Sequence, residues 1–118
     1  MAKFLFVLSR GTEDPTRSTR CIQFAKVAKE TGHEVNIFLI EEGVMVAKVG
    51  MVDNIKSPTG DELKGHLDYL VKEKVPIFVC TPCANARQLG PDELVSTAQL
   101  DTAKTLIALA AESKVFTF

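Results

Sequence analysis

Apolar residues in this chain gather into runs of two kinds. Residues 3–8 and 34–40 are nearly continuous apolar stretches rich in Val, Ile and Phe. Such runs fit parallel strands covered on both faces. Between them, residues 16–31 read as a helix, with Cys21, Ala25 and Ala28 at i, i+4 and i+7 and Gly32 as the C-terminal stop. A strand, a helix and a strand in that order imply a right-handed crossover. The spacing predicts a second helix over 60–73, where Leu63, Leu67, Leu70 and Val71 form one stripe. Pro76 then opens a strand over 76–80, followed by a helix that breaks near Gly90-Pro91. Ser96 to Leu100 reads as a short strand. Asp101 caps a last helix whose Ala103, Leu106, Ile107 and Ala110 share a face, and Val115 to Phe118 forms the final strand. The pattern predicts a single α/β domain over residues 1–118: three layers, with a mostly parallel five-stranded sheet and helices on both faces.

One stretch fits this scheme poorly. Between Gly43 and Pro58 lie Val44, Met45, Val46, Val49, Met51, Val52 and Ile55, interrupted by Gly50. So much apolar surface is expected to pack against another subunit or to cover the site. The alternative is an extra short helix on the domain's own core.

Composition narrows the function. The chain has 118 residues, 46% apolar and 25% charged, enough to bury a core without staples. A net charge of -1 offers no general attraction to nucleic acid or anionic lipid, so neither a nucleic acid nor a membrane is an expected partner. The apolar run Phe4–Leu8 is too short to span a membrane and lacks a signal-cleavage pattern. The expected location is the cytoplasm. Three cysteines, an odd number, argue against a secreted disulfide framework.

The chemistry concentrates in Cys80-Thr81-Pro82-Cys83-Ala84-Asn85-Ala86-Arg87. Thr81 is a favoured N-cap and Pro82 suits the first helical position. Cys80 is thereby expected just before a helix N-terminus, with Cys83 in its first turn. Free amides and the positive helix end favour thiolate over thiol there. Arg87, one turn beyond Cys83, could steady a sulfur anion, and Asn85 could hydrogen-bond it. The plain alternatives are a solvated helix arginine at 87 and buried, inert cysteines at 80 and 83. Cys21, on an apolar helical stripe, reads as core. In open parallel sheets ligands bind beyond the carboxyl ends of the strands. That rule places the loop Ser9–Pro15 with Gly11 and Asp14, the turn Glu41-Glu42-Gly43, and Cys80 on one rim. Thr12 to Pro15 caps the first helix, and Glu41 with Glu42 reads either as an acid/base pair or as a plain turn.

The order of these features resembles the DsrE/DsrF-like family, which includes DsrE, TusD and YchN-like sulfur-relay proteins. The features in question are Gly11-Thr12-Glu13-Asp14-Pro15, Thr31-Gly32-His33-Glu34-Val35, Glu42-Gly43-Val44, the cysteine after the third long strand, and Lys114 to Phe118. The resemblance covers essentially the whole chain. It implies a compact α/β fold that assembles into trimers or hexamers, and a cysteine that accepts sulfur as a persulfide and passes it on. Cys80 matches that cysteine by position, with Thr81, Asn85 and Arg87 beside it to steady the charge. Cys83 is an addition that leaves a disulfide-forming role open. Sulfur donor and acceptor proteins are the implied partners, and no organic cofactor is implied.

Other chemistries fit less well. A structural zinc site wants four Cys/His ligands, and here one Cys-x-x-Cys pair stands with His33, a turn residue, and His66, a helix-flank residue. No metal is expected, unless an oligomer completes a shared site. The Cys80–Cys83 box resembles a thioredoxin-type motif, but the surrounding element order does not match that fold. No Walker-type phosphate loop is present. Two further functional classes stay open: a thiol–disulfide switch or reductase, and a non-enzymatic oligomeric binding module.

Overall fold

Strands β1 (Lys3–Leu8) and β2 (Glu34–Leu39) run parallel, with Phe4 opposite Val35 and Leu8 opposite Leu39, in the computed structural model, which describes residues 1–118. β3 (Ile77–Cys80), β4 (Ala98–Asp101) and β5 (Lys114–Thr117) complete a sheet of order β4-β3-β2-β1-β5, every pairing parallel. All five strands therefore end on the same rim, where Cys80 stands opposite Asp101.

The two sheet faces are covered unequally. Helices α1 (Pro15–Glu30) and α2 (Leu63–Lys72) lie on the face that carries Phe6, Leu8, Ile37, Leu39, Ile77 and Val79. That face holds a core of 23 buried residues, including Cys21, Ala25 and Ala28 of the predicted stripe. The opposite face buries only Leu5, Val7 and Phe38, against Leu106, Leu109 and Ala110 of α4 (Ala103–Ala111). No residue of α4 is buried and Ile107 is 67% exposed, so its apolar face is covered less than its periodicity predicts. No helix is long and apolar enough to cross a membrane.

Several boundaries differ from the sequence pattern for local reasons. α2 starts at Leu63 rather than at residue 60. The carboxylate of Asp61 is engaged by Ser57, Thr59 at 2.7 Å, Arg20 at 3.3 Å and His66 at 2.8 Å, which holds residues 57–61 in a turn. Much of the segment after β2 packs on the chain's own core, as the alternative reading has it, while Val49 stays exposed. The segment begins as a 3-10 helix over Glu41–Ala47, and Val44, Val46, Ala47, Val52 and Ile55 are buried in the chain's own main core. His33 is half-buried: its Nδ1 accepts a hydrogen bond from the Ala2 amide at 2.9 Å, and its ring meets Phe4 edge-on.

Candidate functional site

Alternation along β3 sends Ile77 and Val79 into the main core and turns Phe78 to the other face. Cys80 ends the strand at the rim. Its thiol is free, and the residue is half-buried, packed against the edges of both apolar clusters.

Helix α3 (Thr81–Ala86) starts at once, and Cys80 itself is its N-cap. The predicted cap, Thr81, sits one position inside the helix. Its hydroxyl donates to the Asp101 carbonyl at 2.8 Å, fastening α3 to the end of β4. A Thr caps only when its hydroxyl is free to accept from the first-turn amides, and here that oxygen is drawn to the fourth strand. The Cys80 side chain makes no cap hydrogen bond of its own, so the expected amide cradle is not formed around this sulfur. With six residues, α3 also has only a short run of aligned peptide dipoles.

Cys83 is buried, and its Sγ donates to Glu41 Oε1 at 3.5 Å. Burial pushes its thiol pKa up to about 11; the neighbouring Cys80 thiol and the Glu41 carboxylate push the same way, and the Glu41 backbone opposes them. Glu41 has φ +48°, an unusual left-handed conformation for a residue other than glycine. Its amide and its carboxylate therefore both act on one sulfur.

Arg87 makes no hydrogen bond to either sulfur. Its guanidinium binds Glu42 Oε1 at 2.6 and 3.1 Å, lies 3.7 Å from Glu41 Oε2, and donates to the Cys83 carbonyl at 3.0 Å. Hydrogen bonding from Arg87 holds the Glu42 carboxyl below its ordinary range. Asn85 is exposed and stands outside this network.

Close backbone approach joins the rim loops. A Cβ on Gly11 would collide with the Glu42 carbonyl, and one on Gly43 with the Leu8 carbonyl. The fold thus brings together Gly11, Glu42, Gly43, Cys80, Cys83 and Arg87. Asp14 is placed apart from the thiols: its carboxylate caps α1 by accepting from the Arg17 amide at 3.0 Å. Cys21 is buried in the main core, where burial raises its thiol pKa. No three His, Cys, Asp or Glu side chains are arranged to hold a metal ion. Sequence reasoning puts Glu41 on the rim, in an acid/base pair or a plain turn, and misses its thiol partner. Its only local signal is the Glu-Glu-Gly turn, because the thiol it meets lies 42 residues away.

Comparison with known proteins places this arrangement. A model of the DsrE/DsrF-like family matches residues 2–118. Uncharacterized protein MJ0989 of Methanocaldococcus jannaschii is 35% identical over 98% of this chain and 99% of its own. Uncharacterized protein MK0008 of Methanopyrus kandleri is 31% identical over 91% of this chain and 85% of its own. Among solved structures, the YchN protein of E. coli superposes with a TM-score of 0.84 at 21% identity, covering all of both chains. A protein of unknown function, MTH1491 of Methanobacterium thermoautotrophicum, superposes at 0.72 and 15% identity, also over both full chains. At these identities the structures speak for the fold.

Proposed function

Since the chain belongs to the DsrE/DsrF-like family, we propose that it is a cytoplasmic sulfur-transfer protein whose Cys80 carries sulfane sulfur as a persulfide. The observation that carries this reading is a free, half-exposed thiol at the carboxyl end of β3, beside a second, buried thiol on the next turn. In the loading step the Cys80 thiolate attacks the terminal sulfur of a donor R–S–SH. The new bond is Cys80 S–S, the donor S–S bond breaks, and the donor leaves as R–S⁻. Transfer to an acceptor thiol is the same exchange in reverse. Cys83 accepts or resolves the sulfur. Arg87 acts on the site through Glu41 and Glu42, and Gly11, Glu42 and Gly43 shape the rim.

A homo-oligomer, trimeric or hexameric, completes the proposal. It is supported by apolar surface left open on one chain. A groove of about 320 Å³ is lined by Phe4, Phe6, Phe24, Val27 and Phe116, and Ile107 stands exposed on α4.

Intact mass spectrometry after treatment with a sulfane donor tests the reading. Cys83→Ser gains the mass of one sulfur atom, and Cys80→Ser gains none. A Cys83→Ser protein that gains none overturns it. The mutual influence of the two thiols also favours a second reading, a thiol–disulfide switch. A reversible two-electron midpoint in the cytosolic range, without a stable persulfide, would select that reading.

A further inference from the structure

We propose that Glu41 is the proton acceptor for Cys83, and that Cys83 so activated attacks Cys80 to discharge its sulfur as hydrosulfide. The persulfide half rests on the function proposed above; the Glu41–Cys83 half stands on geometry alone.

Three observations converge. Cys83 Sγ already points its proton at Glu41 Oε1, 3.5 Å away. Glu41 holds a left-handed backbone conformation, φ +48°, unfavourable for a non-glycine residue, as strained residues at functional sites do. Its backbone bears on the same sulfur in the sense that favours the thiolate, while its carboxylate favours the thiol until it takes the proton. One residue thus offers an acceptor for the proton and a donor for the anion left behind. Arg87 steadies the arrangement from the other side, reaching Glu41 Oε2 at 3.7 Å.

Burial says what Cys83 attacks. At 8% exposure it cannot readily hand sulfur to an outside protein, and Cys80, the N-cap of the same helix, stands at the start of the turn that carries Cys83. The Cys83 proton passes to Glu41 as the Cys83 sulfur attacks Cys80 Sγ. The bond between Cys80 Sγ and the outer sulfur breaks, and the outer sulfur leaves with the electron pair. Glu41 returns the proton to it. The sum is Cys80–S–S⁻ plus Cys83–SH giving a Cys80–Cys83 disulfide plus HS⁻. The outer sulfur is reduced from zero to minus two, and each cysteine sulfur is oxidised by one. A dithiol reductant then resets the pair.

A mixed disulfide tests Glu41 without any persulfide. Reduced protein treated with one equivalent of dithionitrobenzoate loads Cys80, and Cys83 then expels the coloured thiolate in a second phase. That phase is absent in Cys83→Ser and about a hundredfold slower in Glu41→Gln near neutral pH. The deficit closes as pH rises into the alkaline range, where the Cys83 thiol ionises without a base. Glu41→Asp recovers most of the rate, and unchanged thermal unfolding confirms that the variants are folded. A Glu41→Gln second phase at the wild-type rate, or a deficit that does not vary with pH, overturns the role of Glu41. In a parallel arm, protein loaded by a sulfane donor releases one sulfide per disulfide formed, more slowly in Glu41→Gln. Loaded wild type that keeps its sulfur with Cys83 reduced overturns the discharge step and leaves carriage by Cys80 intact. Failure to load, with the mixed-disulfide phase still dependent on Glu41, overturns the persulfide reading and upholds the base.

Discussion

Arg20 and Arg87 each clamp a loop to a helix through carboxylate, and the two clamps differ in what they leave over. Around Arg20, the single carboxylate of Asp61 is engaged by Ser57, Thr59, His66 and the guanidinium, and its side chain is 28% exposed. Every strong direction on that carboxylate is occupied, and no thiol is among its partners. Around Arg87 there are two carboxylates. Glu42 takes the guanidinium squarely, while Glu41, 66% exposed, holds it at long range and turns its other oxygen to a thiol. A saturated clamp stabilises a loop. An unsaturated one keeps a base available beside a buried sulfur.

The largest effect that separates the clamps is on stability. Asp61→Ala leaves a half-buried arginine and two hydroxyls without their acceptor, and is expected to cost about 3 kcal/mol in denaturant unfolding. The rate of the Cys83 phase should not change. An equal loss of both would break the distinction. Acid exposes the same asymmetry. Hydrogen bonds from Ser57, His66 and Thr59, with Arg20, hold the Asp61 carboxyl far below its ordinary range. A carboxyl depressed in the folded state contributes stability that is complete above its unfolded pKa, about 3.9, and is lost as pH falls from there through the folded value. Stability of wild type should therefore fall more steeply below about pH 4 than that of Asp61→Asn, as read by acid titration at fixed denaturant. Arg87→Ala is the smallest change in stability, because its partners are exposed. Its Cys83 phase should slow by roughly tenfold, as Glu41 loses the charge that steadies it.

How much of this could be read from the chain depended on whether the cause was local. β1 and β2 are legible because strands buried on both faces need apolar residues at every position. The Cys80 position was legible too, as the last residue of an apolar run before a proline-bearing turn. Thr81 was misplaced because a cap preference is local, whereas its hydroxyl bonds a carbonyl 20 residues on. Residues 44–55 have no clean period, yet the main core absorbs much of them, because a 3-10 start and successive turns can bury alternate residues without either standard repeat. The partners of Cys83 and Arg87 lie 42 and 45 residues back in the chain, and no local pattern announces them.

The fifth strand carries a consequence for how the molecule opens. β5 pairs with β1 alone, Phe4 beside Lys114 and Val7 beside Thr117, and every one of its residues is exposed. Closing that pairing joins segments about 110 residues apart, the longest loop in the sheet and the slowest to form. Amide hydrogens along β5 should accordingly exchange with deuterium well before those of β2. Each fraying event bares the outer edge of β1, an unpaired backbone ladder that a stray strand can capture.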